Sequence, residues 1–514
     1  MKIAVYDIGT NSIHLLIVEV HKDLSFEVLG HEKDTTRLGD GSFESGELSA
    51  EAMKKGCEVM ERFAKIAARS GVKRSIAVAT SAVREARNGG KFIEEVWRRA
   101  GLKVSVITGE EEARLIGLAA RSATDLGGKK ALVIDIGGGS VELILGDGRT
   151  MDLMESYKLG VARLSDRFIH EDPPSKRSLK RLESYVERKL RKTLKRVRKA
   201  EPAVVLGTAG TMVNLAFMCH YDAQGRTLER VNLSRLKLKD LERVHAKLCR
   251  MTLRERMRMP ELDPKRADLI VAGSALVLTL MRLLRVSSIT ISDKGIREGV
   301  ILDYIDKNKK RLRGNGDGLS LRERSVRQLA RRLDAEDAHG DRVAALAERI
   351  FDTTQRLHRL GPEEREMLRY AALLHDVGHS ISFSKHHKHS YYLIVNSDLD
   401  GFTHEEVERL ALIARLHRKP VSPKKARRMT SDPEDPVPVL AAMLRIADGL
   451  DRSHFGVVKS VSCSIRPGRA IFKLTTDKNK DAELEIWQAK ERSDLFEHLY
   501  GRPAVFVKAR GRKR

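Results

Sequence analysis

The stretch ALVIDIGGGSVELIL, residues 131–145, reappears in outline at the start of the chain as KIAVYDIGTNSIHLLIVEV. In both, an apolar, β-branched run leads into Asp-Ile-Gly, passes through small polar residues and returns as a second apolar run, the pattern of strand, tight turn and strand. Two such units predict two duplicated halves facing each other across a cleft, each supplying one phosphate-sized turn. Gly137, Gly138 and Gly139 let the main chain approach an anion and point N–H groups at it. Asp135 before the turn and Glu142 after it can hold a divalent cation against that anion. The other reading of such a turn is a hairpin whose glycines serve geometry alone.

Two strand-to-helix junctions extend the pattern. SIAVATSAVREA places Thr80, Ser81 and Arg84 at the carboxyl end of a strand, where ligands collect in α/β sheets. PAVVLGTAGTMVNLA makes Gly207, Thr208, Gly210 and Thr211 a third candidate phosphate loop. In TGEEEARL, Glu110, Glu111 and Glu112 occupy the first turn of a helix, where carboxylates suit the helix dipole. Helical phase turns only one or two of the three toward the cleft and does not choose between neighbours.

A chain of 514 residues is too long for one core. Its net charge of +25 calls for an acidic partner: nucleic acid, a membrane surface or polyphosphate. With only 5% aromatic residues, base stacking is poorly served, which counts against nucleic acid. Cys57, Cys219, Cys249 and Cys463 form no CxxC pair, and a reducing cytoplasm is the expected setting. Asp7 and Asn11 interrupt the apolar N-terminus, against a signal peptide. LIVAGSALVLTLMRLL, from Leu269, includes Arg282 and reads as a buried helix, not a membrane span. Leu179, Leu182, Val186, Leu190 and Leu194 form the apolar stripe of a helix with a solvated cationic face. KNKKRLRGNGDGLS, 307–320, reads as a linker. Beyond it helices are expected at 321–333, 341–358, 363–376, 404–417 and 436–450, with histidine concentrated among them. A β-hairpin, one helix, a last strand and the basic tail ARGRKR follow His454.

DIGTNS, ATSAVREA, TGEEEARL, DIGGGSVEL, LGTAGT and SDKGIREGVI occur in this order across residues 1–305. In them the chain resembles the exopolyphosphatase and guanosine pentaphosphate phosphohydrolase family, Ppx/GppA. The resemblance implies the duplicated α/β ribonuclease H-like fold of the actin-like ATPase and sugar kinase superfamily, as domains 1–125 and 126–306. After the linker it implies an all-α HD-like domain at 321–455 and a small α+β domain at 456–514. It makes Glu112 the general base, with Glu111 the second choice, and Arg84 the phosphate clamp. Asn11 and Ser12 become the first phosphate loop, and Gly137, Gly138, Gly139 and Ser140 the second. Thr208, Gly210, Thr211 and Arg266 complete the phosphate contacts, and Asp135 and Glu142 lie near Mg²⁺ or Mn²⁺. The implied protein is a homodimeric, Mg²⁺-dependent exopolyphosphatase. Alternatives are a guanosine pentaphosphate phosphohydrolase, a non-catalytic polyphosphate or alarmone sensor, and a kinase, since the fold also hosts phosphotransferases.

His339, the His375-Asp376 pair and Asp448 have the spacing of HD phosphohydrolases, in which two His and two Asp converge on one or two metals. In many relatives the pair resembles a degenerate remnant, whereas here all four ligands are intact. A second divalent metal in the helical half is therefore a candidate, with His379, His386, His387, His389 and His417 as further ligands. Under the other reading, preferred for catalysis, the four are hydrogen-bonded core polars beside a cationic channel for the polyanion.

Overall fold

The two Asp-Ile-Gly segments form hairpins because each places an apolar strand on either side of a turn that glycine permits. β1 (Lys2–Ile8) pairs antiparallel with β2 (Ile13–Val20), and β6 (Ala131–Ile136) pairs likewise with β7 (Val141–Gly146). The turns match in detail: Gly9 N donates to Ser12 O and Gly137 N to Ser140 O, both at 3.1 Å. Asp7 is the cross-strand partner of His14, as Asp135 is of Glu142. In this computed structural model all residues are described except 22–23, 124–128, 148–149, 313–318, 336–337, 420, 431, 433, 478–480 and 510–514. The chain divides into two units, Met1–Gly318 and Leu319–Arg514.

In the first unit each hairpin gains a third antiparallel strand, β3 (Phe26–Asp34) or β8 (Met151–Tyr157). The apolar pattern marks neither. β3, FEVLGHEKD, is a largely solvent-facing edge, so it has charged residues where a buried strand would have apolar ones. β4 (Arg74–Ala79) and β5 (Val104–Val106) add in parallel to the first sheet, giving the order β3-β2-β1-β4-β5. β9 (Val204–Thr208), β10 (Arg235–Lys237) and β11 (Ser288–Ile291) complete the second, β8-β7-β6-β9-β11-β10. The two sheets share a hairpin, its third antiparallel strand and two parallel strands, the second adding β10 as an antiparallel edge, and this is the duplicated α/β architecture that the repeat predicts.

Two helices tie the sheets together. Gly109–Ala123 packs on β7 and β8, and Ile296–Lys307 packs on that helix and on β1. They cross at Gly299, where a Cβ would lie 2.0 Å from the Leu115 carbonyl oxygen. Lys176–Lys199 buries Leu182, Val186, Leu190, Leu194 and Val197 against Ile270–Leu284, the expected buried helix. Among the described residues, no helix is long and apolar enough to cross a membrane. The 307–320 stretch is not wholly irregular. Helix Ile296–Lys307 runs into it and Lys309–Leu312 is helical, because the lysines and arginines there favour helix; its Gly-rich residues 313–318 lie outside the described residues.

The second unit is built on helices Leu321–Arg332, Ala338–His358, Pro362–Leu374, His386–Val395, His404–Leu416 and Val437–Gly449. Local chemistry sets several starts: Ser320 Oγ accepts from Glu323 N, and Thr403 and Glu406 form a reciprocal capping box. The helix expected at 363–376 ends at Leu374, leaving His375 and Asp376 just beyond it. β12 (Val458–Arg466) and β13 (Arg469–Thr476) make the expected hairpin, and β14 (Ala504–Lys508) joins β13 in parallel. Two helices, Glu483–Glu491 and Asp494–Tyr500, stand where one is expected. At the break between them, Arg492 is turned inward onto Asp448. Of the basic tail, 510–514 lie outside the described residues.

Candidate active site

Both Asp-Ile-Gly turns, the junction after β9 and the first turn of helix Gly109–Ala123 meet in a cleft of about 370 Å³. Gly137, Gly138, Gly139, Ser140, Thr208, Gly210 and Arg266 line it, as do Glu112 and Asp135. A Cβ on Gly139 would stand 2.4 Å from Ser81 Oγ and 2.8 Å from Thr10 Oγ1, so only glycine lets the two halves close this far. Ala209 adopts a φ of +69°, a left-handed conformation that bends the chain into helix Ala209–Gln224. For a residue with a Cβ this costs about 1–2 kcal/mol, strain kept at the cleft wall.

Packing separates the three glutamates. Glu110 is exposed, and Glu111 gives its carboxylate oxygens to Arg114 at 2.7 and 2.8 Å. Glu112 is buried on the cleft wall. Arg84 Nη1 donates to Glu112 Oε2 and to the Ile107 carbonyl, both at 2.9 Å. Arg84 is thus turned onto the acid and does not line the cleft. Asn11, Ser12, Thr211 and Glu142 are likewise buried behind the wall. Glu142 Oε1 accepts from Ser156 Oγ at 2.7 Å, while its Oε2 is buried with no hydrogen-bond partner among the described residues.

Four carboxyl groups in so dry a place resist ionisation together. Burial, with the charges of Glu112 and Asp7, pushes Asp135 up to about 7. Burial also lifts Asp7 to about 7 against the pull of Arg297. Glu142 stands well above the usual carboxylate range, from burial and then from Glu112 and Asp135. Glu112 is raised by burial, with Arg84 opposing.

Sequence reasoning misses Asp7, His14, Lys33 and Arg297, all on the cleft wall. Aligning DIGTNSIH with DIGGGSVE would have found the first two, since they occupy the places of Asp135 and Glu142. Arg297 lies inside the SDKGIREGVI motif. Lys33 sits on the unrecognised β3 and has no sequence signal. Arg266 reaches over the third loop, where a Cβ on Gly210 would meet its guanidinium at 2.4 Å. Its Nε is buried with no hydrogen-bond partner among the described residues and lies 4.0 Å from Asp263 Oδ2. In the second unit His339, His375, Asp376 and Asp448 come together, and His386 and His417 join them.

Residues 16–308 match the model of the Ppx/GppA phosphatase family, and residues 321–492 match that of Ppx/GppA phosphatase domain III. The crystal structure of an exopolyphosphatase from Cytophaga hutchinsonii is similar at 30% identity, over 62% of this chain and 100% of its own, with a TM-score of 0.57. A Ppx/GppA family member from Aquifex aeolicus is 29% identical over 60% of this chain and 98% of its own, with a TM-score of 0.52.

Proposed function

The chain belongs to the Ppx/GppA phosphatase family, and from that membership we propose that it is a Mg²⁺-dependent exopolyphosphatase, releasing orthophosphate from the ends of inorganic polyphosphate. The observation that carries this reading is the carboxylate of Glu112, buried in a cleft between two glycine turns and held by Arg84. Glu112 takes a proton from a water whose oxygen attacks the terminal phosphorus, and the P–O bond to the next phosphate breaks with its electron pair on the bridging oxygen. Burial makes this carboxylate a stronger base than an exposed glutamate. Arg84 keeps it oriented, and Arg266 and Arg297 offset charge on the phosphate oxygens.

Asp135 and Glu142 are the residues that would hold a divalent ion here: carboxylate oxygens suit a hard cation, and the orphaned Oε2 of Glu142 fits such a group. When bound, Mg²⁺ would neutralise charge on the phosphoryl oxygens. The surplus of +25 supports a long polyanion over a nucleotide as substrate.

Orthophosphate release from long polyphosphate, short polyphosphate and guanosine pentaphosphate, measured side by side, tests the reading. Preference for the polymer is expected. Faster release from the nucleotide would overturn the substrate, no release from any would indicate a sensor, and ATP formed on adding ADP would indicate a kinase. Because burial raises Glu112 together with Asp7, Asp135 and Glu142, kcat/KM should climb as pH rises and level off above the ordinary glutamate range. A plateau already reached below pH ~4.5 would show that no essential carboxyl of the cleft is raised in the working enzyme. Arg266→Ala should raise KM for polyphosphate roughly 10- to 100-fold, the worth of one charge-assisted contact.

A further inference from the structure

The second unit holds a cluster whose geometry is that of a ligand shell. His339 lies in the first turn of helix Ala338–His358, His375 and Asp376 follow Pro362–Leu374, His386 opens His386–Val395, His417 follows His404–Leu416, and Asp448 lies on Val437–Gly449. All but Asp376 are buried. His375 Nδ1 donates to Ala372 O at 2.7 Å, His417 Nδ1 to Ala414 O at 2.6 Å, and His339 Nδ1 to Asp451 Oδ2 at 2.8 Å. Those acceptors hold each ring with its hydrogen on Nδ1 and leave Nε2 as a bare lone pair, the arrangement that orients metal-binding histidines.

The lone pairs converge. Nε2 of His339 and of His375 is buried with no hydrogen-bond partner among the described residues, which does not fit a hydrogen-bonded polar core. These atoms lie 3.7 and 3.9 Å from Asp448 Oδ1, and 3.9 and 3.5 Å from Asp376 Oδ2. The other oxygen of Asp376, Oδ1, lies 3.1 Å from His386 Nε2 and 3.6 Å from His417 Nε2, and those two nitrogens are 3.1 Å apart. Such spacings are the edges of a shell whose donors stand about 2.1 Å from a common centre. Facing imidazole lone pairs repel unless a cation lies between them.

We propose that this unit binds two divalent metal ions bridged by Asp376, one held also by His339, His375 and Asp448 and the other by His386 and His417, and that the centre hydrolyses phosphate monoesters. Four neutral imidazoles favour a transition metal such as Mn²⁺ over Mg²⁺. Arg492 pairs with Asp448 Oδ2, leaving Oδ1 for the ion. His386 Nδ1 lies 2.8 Å from Arg418 Nη1, 2.9 Å from His379 Nε2 and 3.3 Å from Phe383 O, so an ion on its Nε2 requires the Arg418 contact to give way and Nδ1 to become the donor. Two ions against two carboxylates leave a net positive centre, which suits a phosphate dianion. A cavity of about 240 Å³, lined by His339, His375, Asp376, His379 and His454, opens onto it, room for a phosphate with a small leaving group. In the reaction, hydroxide on the centre attacks phosphorus, the ester P–O bond breaks with its electron pair on the leaving oxygen, and that oxygen takes a proton from solvent. One water is consumed and nothing is oxidised or reduced.

The full chain, loaded with Mn²⁺ in excess Mg²⁺ and then desalted, tests this by metal counting with mass spectrometry and by electron paramagnetic resonance. The Mg²⁺ keeps the all-oxygen cleft occupied. Two Mn²⁺ per chain with an exchange-coupled spectrum are expected, falling to one with an isolated-ion spectrum in His417→Ala. His386→Gln, a milder change, should do the same if His417→Ala fails to fold. One or no ion in the wild type, or two retained in a folded variant, would overturn the pair of sites. Mn²⁺-dependent hydrolysis of p-nitrophenyl phosphate should fall roughly 100-fold or more in His375→Ala; undiminished hydrolysis would overturn the catalytic assignment.

Discussion

Glu112→Gln is expected to lower kcat for orthophosphate release from polyphosphate by roughly 10³-fold, the span assigned to a positioned general base. The amide has the shape of the carboxylate, and its oxygen can still accept from Arg84 Nη1, which holds Glu112 at 2.9 Å. What disappears is the capacity to take a proton. KM should change little, because the wall that holds phosphate, the glycine turns and Arg266, is untouched. Glu111→Gln is the matched control. That residue pairs with Arg114, which also reaches Asp303 at 2.7 Å, so its loss perturbs a surface ion pair worth about 0–1 kcal/mol and leaves the rate within about twofold. Steady-state phosphate release from both variants decides the matter: equal rates for wild type and Glu112→Gln would remove Glu112 from the mechanism, and a collapse in Glu111→Gln instead would transfer the role to it.

Gly299→Ala carries the largest expected structural effect. A Cβ there would be 2.0 Å from the Leu115 carbonyl oxygen and 2.6 Å from its carbon, and backbone atoms cannot rotate away as a side-chain tip can. Helices Gly109–Ala123 and Ile296–Lys307 must separate, at about 3 kcal/mol. Leu115 lies one turn beyond Glu112 on the same helix, so the displaced helix takes Glu112 with it, and a shift of this kind can cost ~10²-fold in rate. Gly90→Ala provides the contrast. That glycine is exposed in helix Gly89–Ala100, and a Cβ there meets nothing within 4 Å. Alanine should add about 0.4–1 kcal/mol by narrowing the unfolded ensemble. Urea unfolding of the two variants, followed with phosphate release, checks both. A Gly299→Ala protein as stable and active as the wild type would mean that the crossing is looser than this contact requires.

The difference between these positions shows which parts of the molecule were legible in one dimension. The glycine turns were, because their chemistry is local: the apolar runs specify strands and the glycines specify the turn between them. β3 and β8 were not, since an edge strand in water needs no apolar alternation. The tight crossing at Gly299 carries no local signal either, as a glycine in a helix reads only as a weak helix former until the neighbouring carbonyl is known.

In the candidate sites the same division holds. Acids, cations and histidines of the right kinds can be named from their order along the chain. Which of them share a centre depends on side-chain direction, and packing between distant segments sets that direction. Glu112 faces the cleft, while its neighbour Glu111 points to Arg114, which also reaches Asp303 on the crossing helix. The family resemblance makes Arg84 a phosphate clamp, yet tertiary contacts turn it onto Glu112. His386 and His417 stand among many histidines in sequence, and only the meeting of their helix ends brings both within 3.6 Å of the second oxygen of Asp376. The chain alone determined the two hairpins, the helical second half and the chemical types available. Folding decided which of the three glutamates reaches the cleft wall and which histidines face one carboxylate, because both depend on distances between residues that local pattern does not relate.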